Sequence, residues 1–142
     1  MTPLDQALTQ LRDDPENLEN LHHFYSLFLQ TTFFVPTYDN ETGEIIRGKG
    51  APENPDKTLP LVMEAEGNNF MMLFDQEERV QAWAKEEVKC ITIPGFVAVA
   101  MATEGLYLAM NVGSDPSKQF SPEEIAWLKQ VVDRSAATGE ES

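Results

Sequence analysis

Apolar side chains near the amino terminus recur at helical spacing. Leu4, Leu8 and Leu11 lie about one helical turn apart, which predicts a first amphipathic helix. Asp14 and Pro15 then predict the start of a second helix, because aspartate caps helices and proline suits the first helical position. The apolar face of this second helix is expected to consist of Leu18, Leu21, Phe24, Tyr25 and Phe28.

Runs of β-branched, aromatic and other apolar residues mark the candidate strands. Strands are predicted at residues 31–35, 61–65, 69–74, 90–93 and 106–111. Pro36 is expected to end the first strand. The turn signal at residues 66–68 lies between the second and third strands and predicts a β-hairpin.

Cap signals predict three further helices. Asp75, with Glu78 three residues later, resembles a capping box and predicts a helix start. The apolar segment 94–104, followed by Gly105, predicts a helix that is almost wholly buried. Residues 121–124 combine a capping serine, a first-turn proline and a glutamate that returns to the cap, and they predict the last helix.

This order of elements predicts an α/β fold. We expect one domain over residues 1–142, built as a mixed β-sheet of about five strands with helices packed on it. Residues 37–59 form a long polar connection in which 44–47 can make a short return strand, and the tail at 136–142 is expected to fray. One core is expected to contain Phe24, Phe28, Phe33, Val35, Trp83, Val97, Leu108 and Leu128.

The charge balance excludes some classes of partner. The 142 residues include 24 acidic and 10 basic side chains, for a formal net charge of −14. This charge repels phosphate groups, so we expect neither nucleic acid nor a membrane as a partner. The amino terminus resembles no signal peptide, the apolar run at 93–102 is too short to span a bilayer, and Cys90 is the single cysteine. A cytoplasmic location is therefore expected.

The residues that most often carry chemistry have ordinary structural explanations. Cys90 lies in a predicted buried strand, where a thiol behaves as a small apolar group, and alternation directs Lys89 to the opposite face. His22 and His23 are adjacent on a predicted helix and point about 100° apart, so they cannot easily bind one metal ion together. We expect no catalytic residue, no metal and no cofactor, and hence no enzyme.

Two segments are candidates for interaction with a partner. The polar connection at 37–59 carries aromatic, aliphatic and basic side chains, although a solvated, variable loop is the simpler interpretation. Residues 111–115 lie at the carboxyl end of a predicted strand, where ligands often bind, although a tight turn is the simpler interpretation. The candidate interaction residues are Tyr38, Ile46, Arg47, Lys49, Asn111 and Ser114.

Several stretches, taken in order, resemble one protein family. Residues 21–36 (LHHFYSLFLQTTFFVP) resemble the opening of the SseB-type amino-terminal domain. The pairs Pro60-Leu61 and Phe74-Asp75, then Trp83, residues 106–114 and residues 120–125, are similar to later parts of that domain. The likeness extends over residues 18–132. This chain has Val112 where the family usually has proline. Longer members also carry a second, carboxy-terminal domain, which is not expected within residues 1–142.

The resemblance supports the fold more than any activity, because the family is named after a serine-sensitivity phenotype that implies no reaction. The expected function is a non-enzymatic binding or regulatory module of the SseB-like family, with an unidentified protein partner. A secretion-associated acidic chaperone, from a class whose members usually dimerise, is the alternative. A small enzyme that uses chemistry supplied by its substrate is the third possibility. The sequence does not predict the oligomeric state.

The polar connection generates the first testable prediction. Replacing Tyr38, Ile46 and Arg47 together is expected to weaken partner binding sharply, because these residues supply apolar contact and a cation. Shortening the loop is expected to change the free energy of unfolding by only about 1 kcal/mol. Thermal unfolding and affinity for a captured partner are measured on the triple variant. Unchanged affinity would reduce the loop to a spacer.

Overall fold

The computed structural model describes residues 2–53, 55–114 and 116–139, with residue 55 and residues 134–139 described by their backbone alone. Within these ranges the helices are α1 (Pro3–Asp13), α2 (Leu18–Gln30), α3 (Glu77–Ala84), α4 (Gly95–Met101) and α5 (Pro122–Gly139), with a 3-10 turn at Pro55–Lys57. The strands are β1 (Thr32–Asp39), β2 (Thr58–Pro60), β3 (Val62–Ala65), β4 (Asn68–Leu73), β5 (Cys90–Pro94), β6 (Leu106–Met110) and β7 (Lys118–Phe120).

The strands form two sheets that meet at one pair of residues. The first has the order β2-β1-β5 and is antiparallel, and the second has the order β3-β4-β6-β7 with β4 and β6 parallel. Phe34 and Phe74 exchange backbone hydrogen bonds of 2.7 and 3.0 Å, which join the sheets. The predicted α/β class and mixed pairing are confirmed. Among the described residues there are seven strands in two sheets, rather than about five in one.

The main core lies between one face of both sheets and the helices α1, α2, α4 and α5. Phe28 is its centre, with ring centroids 4.4 Å from Phe120 and 5.2 Å from Phe33. Six residues of the predicted core belong to it, namely Phe24, Phe28, Phe33, Val35, Leu108 and Leu128. Val97 is only half-buried, and Trp83 packs elsewhere, so the prediction of a single core was wrong for these two residues.

A second, smaller cluster lies on the opposite face, under α3. Val80 from this helix is fully buried there together with Phe74, and Trp83 packs against them from the edge. The other buried residues are Met72, Cys90 and Ala109 from the strands and Val88, which precedes β5. Two clusters form because β4 and β6 carry apolar side chains on both faces, and alternation sends Met72 to one side and Leu73 to the other.

Two predicted boundaries near the amino terminus were wrong, and so was the place of Leu18 on the apolar face of the second helix. Helix α2 is capped by Asn17, whose side chain accepts from Glu19 N at 2.9 Å, whereas Asp14 ends α1 and Leu18 remains 66% exposed. Strand β1 continues through Pro36 to residue 39. Proline has no backbone donor but keeps its acceptor, and the Pro36 carbonyl accepts from Leu61 N at 2.8 Å.

The carboxy-terminal half differs in detail from the predictions. Helix α4 is shorter than residues 94–104 and exposes Phe96 and Met101, because only one of its sides faces the core. Ser121 caps α5 as predicted, accepting from Glu124 N at 3.2 Å. The Glu124 carboxylate instead accepts from Tyr25 Oη and pairs with Lys118 Nζ. Of the tail that was predicted to fray (136–142), residues 140–142 lie outside the described residues, and the backbone of residues 136–139 belongs to α5.

Helices α2 and α4 approach each other closely at Gly95. A Cβ added there would lie 1.9 Å from the carbonyl oxygen of Phe28 and 2.8 Å from its carbonyl carbon. Gly95 N also donates to Thr31 O at 2.8 Å. Because the obstructing atoms belong to the backbone, no side-chain rotation relieves the contact. Only glycine fits this position without a shift of the helices.

Gly95→Ala is therefore expected to lower the free energy of unfolding by about 3 kcal/mol or more, at the upper end of overpacking costs. Phe96→Ala, on the exposed side of the same helix, is expected to change it by about 0.5 kcal/mol. Urea unfolding of the two variants and the wild type provides the measurement. Equal stabilities of Gly95→Ala and Phe96→Ala would contradict the close approach of α2 and α4.

Candidate binding groove

A group of buried and half-buried polar residues that we call the Arg79 cluster positions α3. It consists of Thr2, Asp5, Asp75, Arg79 and Asn111. Arg79 Nη1 lies 2.9 Å from Asp5 Oδ1 and 2.9 Å from Asp75 Oδ1, and Nη2 donates to the second oxygen of Asp5. The two carboxylate side chains are only 2% and 3% exposed. Such ion pairs need full hydrogen bonding, because each buried charge is costly when it is unpaired.

The cluster connects segments far apart in the chain. Thr2 Oγ1 donates to Asp75 Oδ2 at 2.9 Å, and Asp75 N donates to Asn111 Oδ1 at 3.0 Å. The predicted capping box at Asp75 is wrong: α3 follows Gln76, which makes no side-chain cap hydrogen bond, since the Asp75 carboxylate binds Arg79 and Thr2. The position of α3 on the sheet therefore depends on the ion pairs of Arg79.

The Arg79 cluster also determines the protonation of Asp5. Burial by itself raises the pKa of this carboxyl, but hydrogen bonds from Arg79 and Thr2 and the charge of Arg79 outweigh it. The pKa is therefore lowered from its usual value of 3.8. Asp5 is held as a carboxylate.

An opening that we call the groove lies on the outer face of the sheet β3-β4-β6-β7. Met63 is the register partner of Phe70, and Phe70 is the register partner of Tyr107, so the three side chains lie on the same face of the sheet and form the floor of the groove. Its volume is about 480 Å³ and it is open along one side. The helices α1, α2, α4 and α5 contribute to the core on the other face, and α3 covers only one end of this one.

The lining of the groove is apolar at its floor and acidic at its rim. The rings of Phe70 and Tyr107 lie 4.9 Å apart, and Trp83 from α3, 5.6 Å from the ring of Phe74, forms one end. Other apolar lining residues are Met63, Met72 and Val112. Glu64 and Glu66 also line it, and among the described lining residues there is no lysine, arginine or histidine. The groove therefore presents a surface for apolar groups beside negative charge.

Part of the polar connection is ordered against the segment that precedes β5. Arg47 Nε lies 2.9 Å from Glu86 Oε1, and Lys49 Nζ lies 3.6 Å from Glu87 Oε1. Lys89 N donates to Ile46 O at 2.8 Å. The predicted return strand at 44–47 is reduced to two isolated bridges, between Tyr38 and Ile45 and between Arg47 and Val88. Arg47 and Lys49 therefore pair first with carboxylates of the chain itself.

A second, smaller cavity lies beneath that loop. It has a volume of about 240 Å³, and Asp39, Ile46, Lys57 and Lys89 are among its lining residues. Lys57 Nζ lies 3.4 Å from a carboxylate oxygen of Glu41, and Lys89 Nζ donates to a backbone carbonyl at 3.5 Å. Its cations thus have partners within the chain, and the cavity has less apolar surface to offer than the groove.

The two remaining candidate residues belong to a turn. Asn111 is fully buried with φ 56°, its Oδ1 accepts from Asp75 N, and its Nδ2 has no hydrogen-bond partner among the described residues. Ser114 N donates to Asn111 O at 3.0 Å. The six candidate interaction residues therefore do not meet in one site, since four lie on the three-stranded sheet and its loop and two follow β6. Their role toward a partner remains a prediction.

The residues considered for chemistry occupy structural positions. Cys90 is buried, and burial together with the negative charge of Glu77 raises the pKa of its thiol to about 11. His22 and His23 are both exposed on α2. In the described part of the chain, no group of three or more histidine, cysteine, aspartate or glutamate side chains is arranged to hold a metal ion.

A comparison with known protein families identifies the family of this chain. The family model described as the SseB protein N-terminal domain matches residues 4–127. The chain belongs to this family. The match begins in α1 and ends in α5, so this SseB N-terminal domain includes every strand and the whole groove. No curated protein and no solved structure matches the chain. Within the described residues, no helix is both long enough and apolar enough to cross a membrane.

The sequence predicted strands at β3, β4 and β6, but it predicted neither β7, whose Gln119 lines the groove, nor the groove itself. The signal lay in β4 and β6, where Phe70 and Tyr107 alternate with the core residues Met71 and Leu108. Strands with large apolar side chains on both faces need a cover on both faces. The predicted helices are sufficient for one face, which indicates that part of the other remains open.

The Arg79 cluster generates a prediction about pH. Arg79→Met leaves Asp5 and Asp75 buried without a cation, and we expect a loss of about 3–5 kcal/mol at neutral pH. Asp5 has a lowered folded-state pKa, so its contribution is present above the unfolded pKa of about 4 and is lost as the pH falls through the folded value. The Arg79→Met variant lacks this contribution, because the hydrogen bonds and charge of Arg79 no longer lower the pKa of Asp5.

The stability difference between wild type and Arg79→Met is therefore expected to narrow from neutral pH to about pH 3. Urea unfolding as a function of pH provides the measurement. Arg47→Met, which removes an exposed ion pair, is the matched control and is expected to change stability by about 1 kcal/mol or less. If wild type and Arg79→Met differ by the same free energy of unfolding at both pH values, the ionised carboxylates of the Arg79 cluster are not the source of the stability difference.

Proposed function

We propose that this SseB N-terminal domain is a non-enzymatic binding module and that the groove receives a segment of a partner protein. The observation that carries the proposal is the apolar floor of Phe70, Tyr107 and Met63 on a sheet face that the helices leave open. Contiguous exposed apolar surface on a monomer typically marks an interaction site, since covering it is favourable.

The shape of the groove favours a chain segment over a small molecule. Its volume of about 480 Å³ is within the range of small-molecule pockets. Such pockets enclose most of the ligand surface, whereas the groove is open and covers one side only. An extended polypeptide needs only one covered side, because its backbone bonds to a strand and alternate side chains enter the groove.

The charge of the domain favours a basic partner. The net charge of −14 attracts cations from a distance, and Glu64 and Glu66 continue that charge to the groove itself. Complementary charges increase association rates and exclude partners of the same sign. The proposed partner segment therefore combines apolar side chains with lysine or arginine.

A secretion-associated acidic chaperone is the second candidate function. It is favoured by the exposed apolar side chains of the helical layer, where Phe96 and Met101 of α4 and Trp127 of α5 are each more than 40% exposed. Such a surface suits self-association, which is usual in that class. Solution scattering distinguishes the two candidates, because a strict monomer at high concentration counts against the chaperone.

Met63 and Met101 form a matched pair for testing the groove, with exposed fractions of 40% and 43%. Met63→Lys puts a cation on the groove floor, whereas Met101→Lys puts it on α4, away from the groove. We expect affinity for a partner captured from the native host to fall by about tenfold or more in Met63→Lys and to stay unchanged in Met101→Lys.

Thermal unfolding of the same three proteins provides the folding control, and both variants are expected to resemble wild type because their side chains are exposed. A captured partner that binds Met63→Lys as tightly as wild type would refute the groove as the binding site.

A further inference from the structure

Strand β3 forms one wall of the groove and is an edge of its sheet. It pairs with β4 through Val62–Met71, Met63–Phe70, Glu64–Asn69 and Ala65–Asn68, and it has no other strand partner among the described residues. All four of its residues are exposed. An exposed edge carries unpaired N–H and C=O groups, which offer a template for a further strand.

The hairpin turn identifies the backbone groups that point outward. Glu66 and Gly67 form a two-residue loop with φ of 53° and 82°. Residues that flank a two-residue loop exchange hydrogen bonds, so the pairs from Ala65–Asn68 onward alternate between bonded and non-bonded. The N–H and C=O groups of Val62 and Glu64 therefore point away from β4, toward the free edge.

We propose that the partner segment binds as an added β-strand along β3, through the backbone groups of Val62 and Glu64. The inference rests on the proposed function of the groove and specifies how the segment lies in it. Side chains of an added strand alternate between the two sheet faces. One set lies beside Met63 and Phe70 on the floor of the groove and is apolar. The other set is directed to the opposite face, beside Glu64 at the rim of the groove, and is basic.

Charge selects a foreign basic segment rather than a second copy of the chain. Two β3 strands side by side bring Glu64 and Glu66 of both copies together, and each copy carries a net charge of −14. Charged residues on edge strands are a common protection against self-pairing. The same carboxylates attract a segment that carries arginine or lysine, so they oppose one occupant and favour the other.

The opposite edge of the sheet is less suited to strand addition. Strand β7 has only three residues, and Lys118 lies on it with its Nζ 3.2 Å from Glu124 and 5.0 Å from the ring of Phe120. A cation there repels the basic segment that the rest of the surface attracts. The proposal therefore applies to β3 alone.

The probe for the test is a short synthetic peptide of alternating arginine and leucine with blocked ends. Its control has the same composition, with the arginines and leucines in two blocks, so charge and hydrophobicity are matched but alternation is lost. Amide hydrogen exchange is followed by NMR on the full chain. The alternating peptide is expected to slow exchange at Val62 and Glu64 by about tenfold or more, and the block peptide is expected to leave both unchanged.

Two variants at position 64 separate the contribution of the backbone N–H to peptide binding from that of the side-chain charge. Glu64→Gln keeps the N–H, and it is expected to weaken peptide binding a few-fold while protection of Val62 persists. Glu64→Pro removes an N–H that points away from β4, which proline tolerates on an edge strand, and it is expected to abolish binding. If Glu64→Pro does not fold, protection of Val62 in Glu64→Gln decides the question.

The remaining outcomes distinguish this inference from the proposed function. If Met63→Lys weakens peptide binding but the peptide does not slow exchange at Val62 and Glu64, strand addition is refuted and the groove remains the proposed binding site. If the peptide slows exchange equally in Met63→Lys and in the wild type, strand addition is supported and the groove is refuted as the binding site. If exchange at Val62 and Glu64 slows as the protein concentration rises in the absence of peptide, the strand that pairs with β3 belongs to a second copy of the chain, and the proposed partner segment is refuted. Failure of the wild type to bind the alternating peptide overturns the inference.

Discussion

The ion pairs of Arg79 with two buried carboxylates are the interaction on which the arrangement of this domain depends. They fasten a short helix that has no cap of its own to the first helix of the chain, and so determine where Trp83 meets the sheet. Charges of this kind contribute little net stability when they are satisfied, but they penalise any arrangement in which one of them loses its partner. The cluster therefore specifies position more than it adds stability.

The open face of the sheet follows from the distribution of helices. Strands β4 and β6 are apolar on both sides, and four helices bury one side around Phe28. The other side receives only α3, which covers the sheet near Val80 and leaves the hairpin end bare. A domain of this size exposes such a surface at a cost in solubility. The excess of acidic residues offsets that cost.

Local chemistry determined which parts of the fold were predictable from sequence. The cap at Ser121 and the β-hairpin around residues 66–68 were predicted correctly because each depends on neighbouring residues. Asp75 was misassigned because its carboxylate is bound by Thr2, 73 positions away, and Pro36 because its carbonyl is bound by Leu61. The groove was missed for the same reason, since it arises from register between strands and from where the helices stop.

Asn111 shows how narrowly such long-range constraints restrict a single position. Its backbone is left-handed, its oxygen must accept from Asp75 N, and Asp5 and Asp75 belong to the same cluster. Glycine satisfies the backbone but offers no acceptor, and leucine offers neither. Aspartate supplies both but adds a third negative charge to a group with one cation. The amide also has one buried nitrogen without a partner, so even the residue that fits is a compromise between geometry, hydrogen bonding and charge.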